Sequence, residues 1–240
     1  MHEAFGFQHF LTGLDAVGRG VLGVLLAMSV ASWSVIATKA WELSRLSRQR
    51  RLFLARFATC RDLDAVAALA CERGEDGPFG RVTTSGFAAS RDIRVPTDEA
   101  IVAAGPADEW VCAALNRAVL EEEERLEGGV TLIATVSASA PFVGLFGTVW
   151  SIHHALVAIG LSGEGGLDKV AGPVGEALVM TGIGLLVAVP ALLGYNALVR
   201  MQRVAMSEIE RHAVRLLSWF VTGNRPAGMG AGKPALRRIA

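Results

Sequence analysis

Three stretches of this sequence lack Asp, Glu, Lys and Arg for long enough to cross the apolar core of a lipid bilayer. They cover residues 20–38, 128–163 and 177–199, which are 19, 36 and 23 residues long. A helix rises 1.5 Å per residue, so about 20 apolar residues span the hydrocarbon layer. The chain is also 52% hydrophobic and only 19% charged, which is typical of a membrane protein. The sequence therefore predicts three transmembrane helices.

The first of these stretches is predicted to be an uncleaved span. A secretory signal peptide would begin with a basic segment and carry a shorter apolar region. The residues before this stretch, MHEAFGFQHFLTGLD, contain neither Lys nor Arg. The stretch therefore fits a retained transmembrane helix better than a leader.

The positions of the basic residues predict the orientation. Lys39 and five arginines follow the first span, and four arginines follow the third, whereas Lys169 is the single basic residue of residues 158–175. Because loops rich in Lys and Arg stay in the cytoplasm, the N-terminus is expected outside and the C-terminus inside. The arginines are Arg45, Arg48, Arg50, Arg51 and Arg56 after the first span, and Arg200, Arg203, Arg211 and Arg215 after the third.

Together these features predict an all-α integral membrane protein whose three transmembrane helices extend into the cytoplasm. The predicted segments are an external N-terminal segment (1–19), transmembrane helix 1 (20–38), a cytoplasmic helical domain (39–127), transmembrane helix 2 (128–158), a short external loop (159–174), transmembrane helix 3 (175–199), a cytoplasmic helix (200–222) and a flexible tail (223–240). The last cytoplasmic stretch before helix 2 is expected to run directly into it.

The cytoplasmic domain contains an acidic run at Glu121–Glu124. Such a run is usually a solvated helix face, and a ring of carboxylates at a channel mouth is the alternative if several copies assemble. The three cysteines, Cys60, Cys71 and Cys112, form no CxxC pair, so they favour neither a zinc site nor a disulfide scaffold. The formal net charge is zero, which argues against nucleic acid as a partner.

Spans two and three each carry one helical face of small and hydroxyl residues. In steps of three and four, span two gives Ser137, Pro141, Gly144, Thr148 and Ser151, and span three gives Thr181, Gly184 and Ala188. Small residues let helices pack closely in a membrane. Alternatively, a face with hydroxyls lines a hydrated pore, and the pattern leaves both interpretations open.

Glu176 is the ionisable residue at the start of span three. Charge near the membrane interior is costly, so such a group normally has a function. Here the carboxylate would form part of a polar path for protons or another cation, together with the Thr148 and Thr181 hydroxyls reached through water. The alternative is a carboxylate at the external membrane interface that interacts favourably with the dipole at the N-terminus of its helix. His153 and His154 point about 100° apart on a helix and have no further ligand nearby, so neither a metal site nor a cofactor is expected.

Two long motifs resemble a known family. SAPFVGLFGTVWSIHHALVAIG and GEALVMTGIGLLVAVPALLGYN are similar to the second and third transmembrane helices of ExbB and TolQ, which are proton-channel subunits related to MotA. The similarity is strong over residues 139–200, weaker at MSVASWSVIATKAWEL and absent from most of the cytoplasmic insert. One departure is that Gly172 and Pro173 stand in the order GP where the family usually has PG.

The resemblance implies a homo-oligomeric helical ring, a pentamer, in the bacterial inner membrane and in contact with its lipids. Spans two and three would line a central pore that holds single-span helices of an ExbD- or TolR-like partner. Thr148, Thr181 and Glu176 match the family's polar pore positions. Ion flow driven by the proton motive force would then energise a TonB- or TolA-like protein, for import or for envelope function.

The expected function is therefore that of a proton-channel and motor subunit, not an enzyme. A membrane scaffold that uses the small-residue faces only for packing and conducts no ions is the alternative. An intramembrane enzyme built on His153, His154 and Glu176 is disfavoured, because no nucleophile or ligand set accompanies these residues.

Overall fold

The structure, a computed structural model, describes residues 15–73, 77–94, 107–162 and 167–223. These residues form six α-helices and no strand, which confirms the all-α prediction for this part of the chain. The predicted external segment and tail lie outside it, except for residues 15–19 and 223. In chain order the helices are α1 (Ala16–Phe57), α2 (Leu63–Arg73), α3 (Pro78–Arg94), α4 (Ala107–Glu127), α5 (Val130–Ser162) and α6 (Leu167–Thr222).

Three helical stretches of the described residues are long and apolar enough to cross a membrane. They are Ala16–Phe57, Asp108–Leu161 and Val174–Thr222. Each continues well beyond the length that a bilayer requires. The three predicted spans are thus matched by three candidate membrane helices.

A two-residue turn separates α4 from α5. Gly129 has a φ of +85°, a conformation that residues with a side chain avoid. The expectation of a helix running directly into span two is therefore wrong at this point. The turn leaves the last carbonyls of α4 without helical partners, and the side-chain amide of Gln202 donates a hydrogen bond to one of them, at Leu126.

The chain divides into two compact units. The apolar unit comprises the described residues of 1–40 and 129–199, and the charged unit comprises those of 41–128 and 200–240. Helices α1 and α6 contribute residues to both units. In the apolar unit, fully buried Leu25, Ile133 and Ala177 mark the sides along which α1, α5 and α6 pack.

The core of the charged unit contains a cluster of aromatic rings around His212, which is fully buried. The ring centroids of Phe53, Phe57 and Phe79 lie 4.7–5.5 Å from that of the imidazole. Thr83 Oγ1 donates to the carbonyl of Phe79 (2.6 Å) and lies 2.8 Å from His212 Nε2. Because the hydroxyl has one proton, Nε2 is the donor in the second bond, and Nδ1 has no hydrogen-bond partner among the described residues.

The protonation state of His212 follows from this environment. Burial lowers the pKa of His212 to about 3, and the charge of Arg215 acts in the same direction. An imidazolium would be poorly solvated among the aromatic rings. The side chain is therefore neutral in the folded protein at neutral pH.

The acidic run on α4 is split by the fold. Glu122 is only 3% exposed, whereas Glu121, Glu123 and Glu124 are exposed. Both oxygens of Glu122 accept hydrogen bonds from Arg81 on α3, at 2.6 and 2.5 Å, and this contact raises the pKa of Arg81. The predicted solvated helix face thus fits Glu121, Glu123 and Glu124. The prediction is wrong for Glu122, whose buried carboxylate joins α4 to α3.

We expect Glu122→Gln to lower the free energy of unfolding by about 1–3 kcal/mol. The Gln amide keeps one acceptor oxygen and places an NH2 donor where the second carboxylate oxygen was, so one N–H group of Arg81 loses its acceptor. The control Glu123→Gln changes an exposed neighbour and should cost less than about 0.5 kcal/mol. Denaturant unfolding of the full chain in detergent, followed by circular dichroism, measures both. Equal losses in the two variants would contradict the assigned pairing.

We expect His212 to make folding sensitive to mild acid. As the pH falls below the unfolded-state pKa of 6.5, the unfolded chain binds a proton that the folded chain does not. Stability therefore drops by up to about 1.4 kcal/mol per pH unit until the pH approaches about 3. The effect fades away as the pH rises above 6.5.

His212→Leu removes this titration, so its stability should fall less steeply than that of the wild type between pH 6.5 and 4. Unfolding midpoints of both proteins at matched pH values measure the difference. Parallel pH profiles would show that His212 does not bind this proton differently in the two states.

Candidate functional site

Helices α5 and α6 meet at a pair of glycines in the apolar unit. A Cβ atom built on Gly144 would lie 3.0 Å from the Cα atom of Gly184 and 3.0 Å from the carbonyl oxygen of Met180. A Cβ atom on Gly184 would lie 2.9 Å from the carbonyl oxygen of Ala140. The two backbones are therefore in direct contact, and only hydrogen atoms fit between them.

One turn further along α5, Gly147 contacts two other helices. A Cβ atom there would lie 2.5 Å from Met180 Cγ and 3.1 Å from Val21 Cγ1 of α1. Since the α5 number rises from 144 to 147 while its α6 partner falls from 184 to 180, the two helices are antiparallel. Gly147 is the point at which α1, α5 and α6 converge.

The two candidate pore threonines lie beside this contact. Thr148 follows Gly147 and is 6% exposed, and Thr181 follows Met180 and is half-buried. The Thr148 hydroxyl donates a 2.6 Å hydrogen bond to the carbonyl of Leu145 in its own helix. Its oxygen keeps lone pairs that can accept from another donor.

The other residues of the predicted small-residue faces lie on or next to the helix contact. Ser137, Pro141 and Ser151 of α5 are half-buried, and Ala188 of α6 is 5% exposed. Ser137 donates to the carbonyl of Ala134. The large apolar residues between them are exposed, among them Phe142, Leu145 and Phe146 on α5 and Leu185 and Leu186 on α6.

Glu176 is not at a helix N-terminus. Helix α6 begins at Leu167, nine residues earlier, and the helix dipole acts within about the first turn. Gly172, Pro173 and Gly175 also lie inside this helix, so the N-terminal interpretation is wrong.

Glu176 and Thr181 lie on different faces of α6, on either side of Met180, the residue that contacts α5. At 100° per residue, Glu176 lies about 40° from Met180 on one side, and Thr181 lies about 100° from it on the other. Glu176 is half-buried. The structure thus brings both residues near the α5–α6 contact but does not align them along one line of α6.

The two histidines of α5 are exposed. The ring of His153 lies 6.3 Å from that of Trp150. Within the described ranges, no three His, Cys, Asp or Glu side chains come close enough to hold a metal ion. An interfacial position near the external end of span two, which the sequence favours for both histidines, stays a prediction.

A hydrogen bond that no sequence pattern predicts joins the start of α1 to α5. The indole nitrogen of Trp150 donates to Asp15 Oδ2 at 2.7 Å, across 135 residues of sequence. Asp15 directly precedes α1, so it could have been noticed as a helix-capping residue. Nothing in the sequence pattern points to Trp150 as its second partner.

Comparison with known proteins identifies the family of the chain that carries this site. Residues 76–211, more than half of the chain, match the MotA/TolQ/ExbB proton channel family. This chain belongs to that family. The matched range includes Thr148, Glu176 and Thr181, together with both glycines of the helix contact.

Curated members of the MotA/TolQ/ExbB family align over most of this chain. It is 38% identical to the biopolymer transport protein ExbB of Xanthomonas campestris pv. campestris, covering 92% of this chain and 90% of the relative. It is 34% identical to ExbB of Neisseria meningitidis over 85% of this chain and 94% of the relative. The Tol-Pal system protein TolQ of Haemophilus influenzae is 33% identical over 82% of this chain and 86% of the relative.

These findings establish the general role of the protein. It is a membrane protein of a proton channel family, and three of its described helical stretches are long and apolar enough to cross a membrane. That role is transport and not classical enzyme chemistry.

We expect Gly184→Ala to destabilise the helix pair, because the added methyl group meets the backbone of α5. The net loss should be about 1–3 kcal/mol, as in other overpacked cores. Gly182→Ala is the matched control on the same helix, where an added Cβ meets nothing within 4 Å. It should be neutral or stabilise by about 0.5–1 kcal/mol.

Thermal unfolding of the two variants and the wild type, as full-length chains in one detergent, provides the measurement. A Gly184→Ala midpoint equal to that of Gly182→Ala would contradict the tight backbone contact.

Proposed function

We propose that this chain is the channel-forming subunit of an ExbB/TolQ-type motor in the bacterial inner membrane, with its N-terminus outside and its C-terminus in the cytoplasm. Copies of it, five in number, form a ring around the single transmembrane helices of an ExbD- or TolR-like partner. Proton flow through the ring drives a TonB- or TolA-like protein that acts on the outer envelope.

The observation that carries the proposal is the placement of two hydroxyl side chains beside the α5–α6 contact in a proton-channel family. Thr148 and Thr181 each follow a residue of the Gly147–Met180 contact. Both lie in stretches without Asp, Glu, Lys or Arg. Hydroxyl groups can hold water or a proton donor in such surroundings at a far lower cost than a charge.

The proposed mechanism depends on the cost of charge in an apolar environment. Spans two and three present large aliphatic and aromatic side chains on their exposed faces. An ionised carboxylate on the partner helix would be poorly solvated against them. A proton that arrives past Glu176, Thr148 and Thr181 neutralises this carboxylate, and the partner helix can then step relative to the ring.

A membrane scaffold is the second candidate, and one observation favours it. Gly144 and Gly184 use the small-residue faces for direct packing within one chain, which requires no ion flow. Proton flux into liposomes, with and without the single-span partner, separates the two functions. Flux that requires the partner supports the channel, and absent flux from an assembled complex supports the scaffold.

We expect Thr148→Val and Thr181→Val each to reduce proton flux by about tenfold or more, which corresponds to about 1.4 kcal/mol on the barrier. Valine keeps the shape of threonine and removes the hydroxyl. Glu176→Ala should act similarly by removing the carboxylate. Flux into liposomes containing the complex, reported by a pH-sensitive dye, measures the effect.

Thr135→Val is the matched control. Thr135 lies on the same helix, is exposed and donates to the carbonyl of Thr131, so its loss should leave flux unchanged. Wild-type flux in all three site variants, with the complex intact by size-exclusion chromatography, would refute the proposed path.

A further inference from the structure

Asp15 holds two helices of the apolar unit with one carboxylate. Its Oδ1 atom accepts a 2.7 Å hydrogen bond from the backbone N–H of Gly18, which caps α1. Its Oδ2 atom accepts a 2.7 Å hydrogen bond from the indole N–H of Trp150 on α5. The two oxygens thus have different partners, one on each helix.

The charge state of Asp15 suits this arrangement. The hydrogen bond from Gly18 lowers the pKa of Asp15, and the bond from Trp150 and the proximity of His154 act in the same direction, against a smaller opposing effect of burial. The group is ionised at neutral pH, and an ionised carboxylate accepts at both oxygens. Hydrogen bonds to a charged acceptor are stronger than those between neutral groups.

Trp150 lies two residues beyond Thr148. Residues two apart on an α-helix point about 200° away from each other. A Trp150 side chain that is held towards α1 therefore directs Thr148 to the opposite side of α5. The contact of Gly147 with Val21 is a second point of attachment to α1, so α5 is held one residue before and two residues after Thr148.

We propose that Asp15 is a positioning residue for the proton path, which through Trp150 fixes the rotation of α5 and hence the direction of the Thr148 hydroxyl. This inference rests on the proposed channel function. Asp15 itself does not carry the transported proton. Its role is to keep Thr148 in register with the α6 contact.

Three substitutions separate this role from simple helix capping. Trp150→Phe removes the indole donor and leaves the cap of α1 intact. Asp15→Ser keeps a capping oxygen but is too short to reach Trp150. Asp15→Asn keeps the size of the side chain and replaces one acceptor oxygen by a donor. Trp33→Phe, at an exposed tryptophan of α1, is the control for loss of an indole.

The experiment measures proton flux per assembled complex in liposomes that contain the full chain and its single-span partner, over a range of pH. We expect Trp150→Phe, Asp15→Ser and Asp15→Asn each to lower the maximal flux about tenfold, within the range that a misplaced group costs. The pH midpoint of the flux should stay at the wild-type value. The double variant Asp15→Ser/Trp150→Phe should be no worse than either of its single variants, because both substitutions remove the same bond.

The other outcomes are informative as well. Wild-type flux in Trp150→Phe would overturn the inference, as would a flux loss that matches a loss of assembled complex. A shifted pH midpoint in Asp15→Asn alone would make Asp15 a proton carrier and would also overturn it. If Thr148→Val conducts like the wild type, the proposed function fails instead, whatever the Asp15 variants do.

Discussion

The contact between Gly144 and Gly184 determines how the rest of the apolar unit is arranged. Within a membrane, apolar side chains gain nothing by leaving lipid for protein, so helix association depends on close packing. Backbone contact at one point sets the separation of α5 and α6. It also lets the Met180 side chain pack directly against Gly147 one turn later. The positions of Thr148 and Thr181 follow, since each is the next residue after that second contact.

The same contact shows that the small-residue faces serve helix packing within one chain. In the isolated chain Gly144, Thr148, Gly184 and Ala188 are buried, and the exposed surface of α5 and α6 is aliphatic and aromatic. Packing therefore uses the glycines together with Thr148, and the half-buried Thr181 lies at the margin of the packed region. A surface that meets lipid, a second copy or a partner helix is consequently apolar, which is the condition under which an unneutralised carboxylate is most costly.

The sequence predicts features that have a period or a length, and it misses contacts between single residues. The three spans, the all-α class and the family could be predicted from charge-free length, helical spacing and two long motifs. Arg81–Glu122, Thr83–His212 and Asp15–Trp150 are 41, 129 and 135 residues apart, and no local pattern marks them. The sequence also placed Glu176 near a helix N-terminus, because Gly172, Pro173 and Gly175 favour a break, whereas α6 begins at Leu167 and runs through all three residues.

The direction of the hydroxyl hydrogen bonds on α5 bears on which species the proposed path can hold. Thr135, Ser137, Ser139 and Thr148 all donate to carbonyls of their own helix. With its proton used in this way, each oxygen presents only lone pairs to its surroundings. A carboxylic acid or a hydronium ion can donate to such an oxygen, whereas an ionised carboxylate cannot. In the proposed motor, Thr148 would therefore stabilise the partner's carboxyl group in its protonated state, the state in which the partner helix can move past the apolar wall.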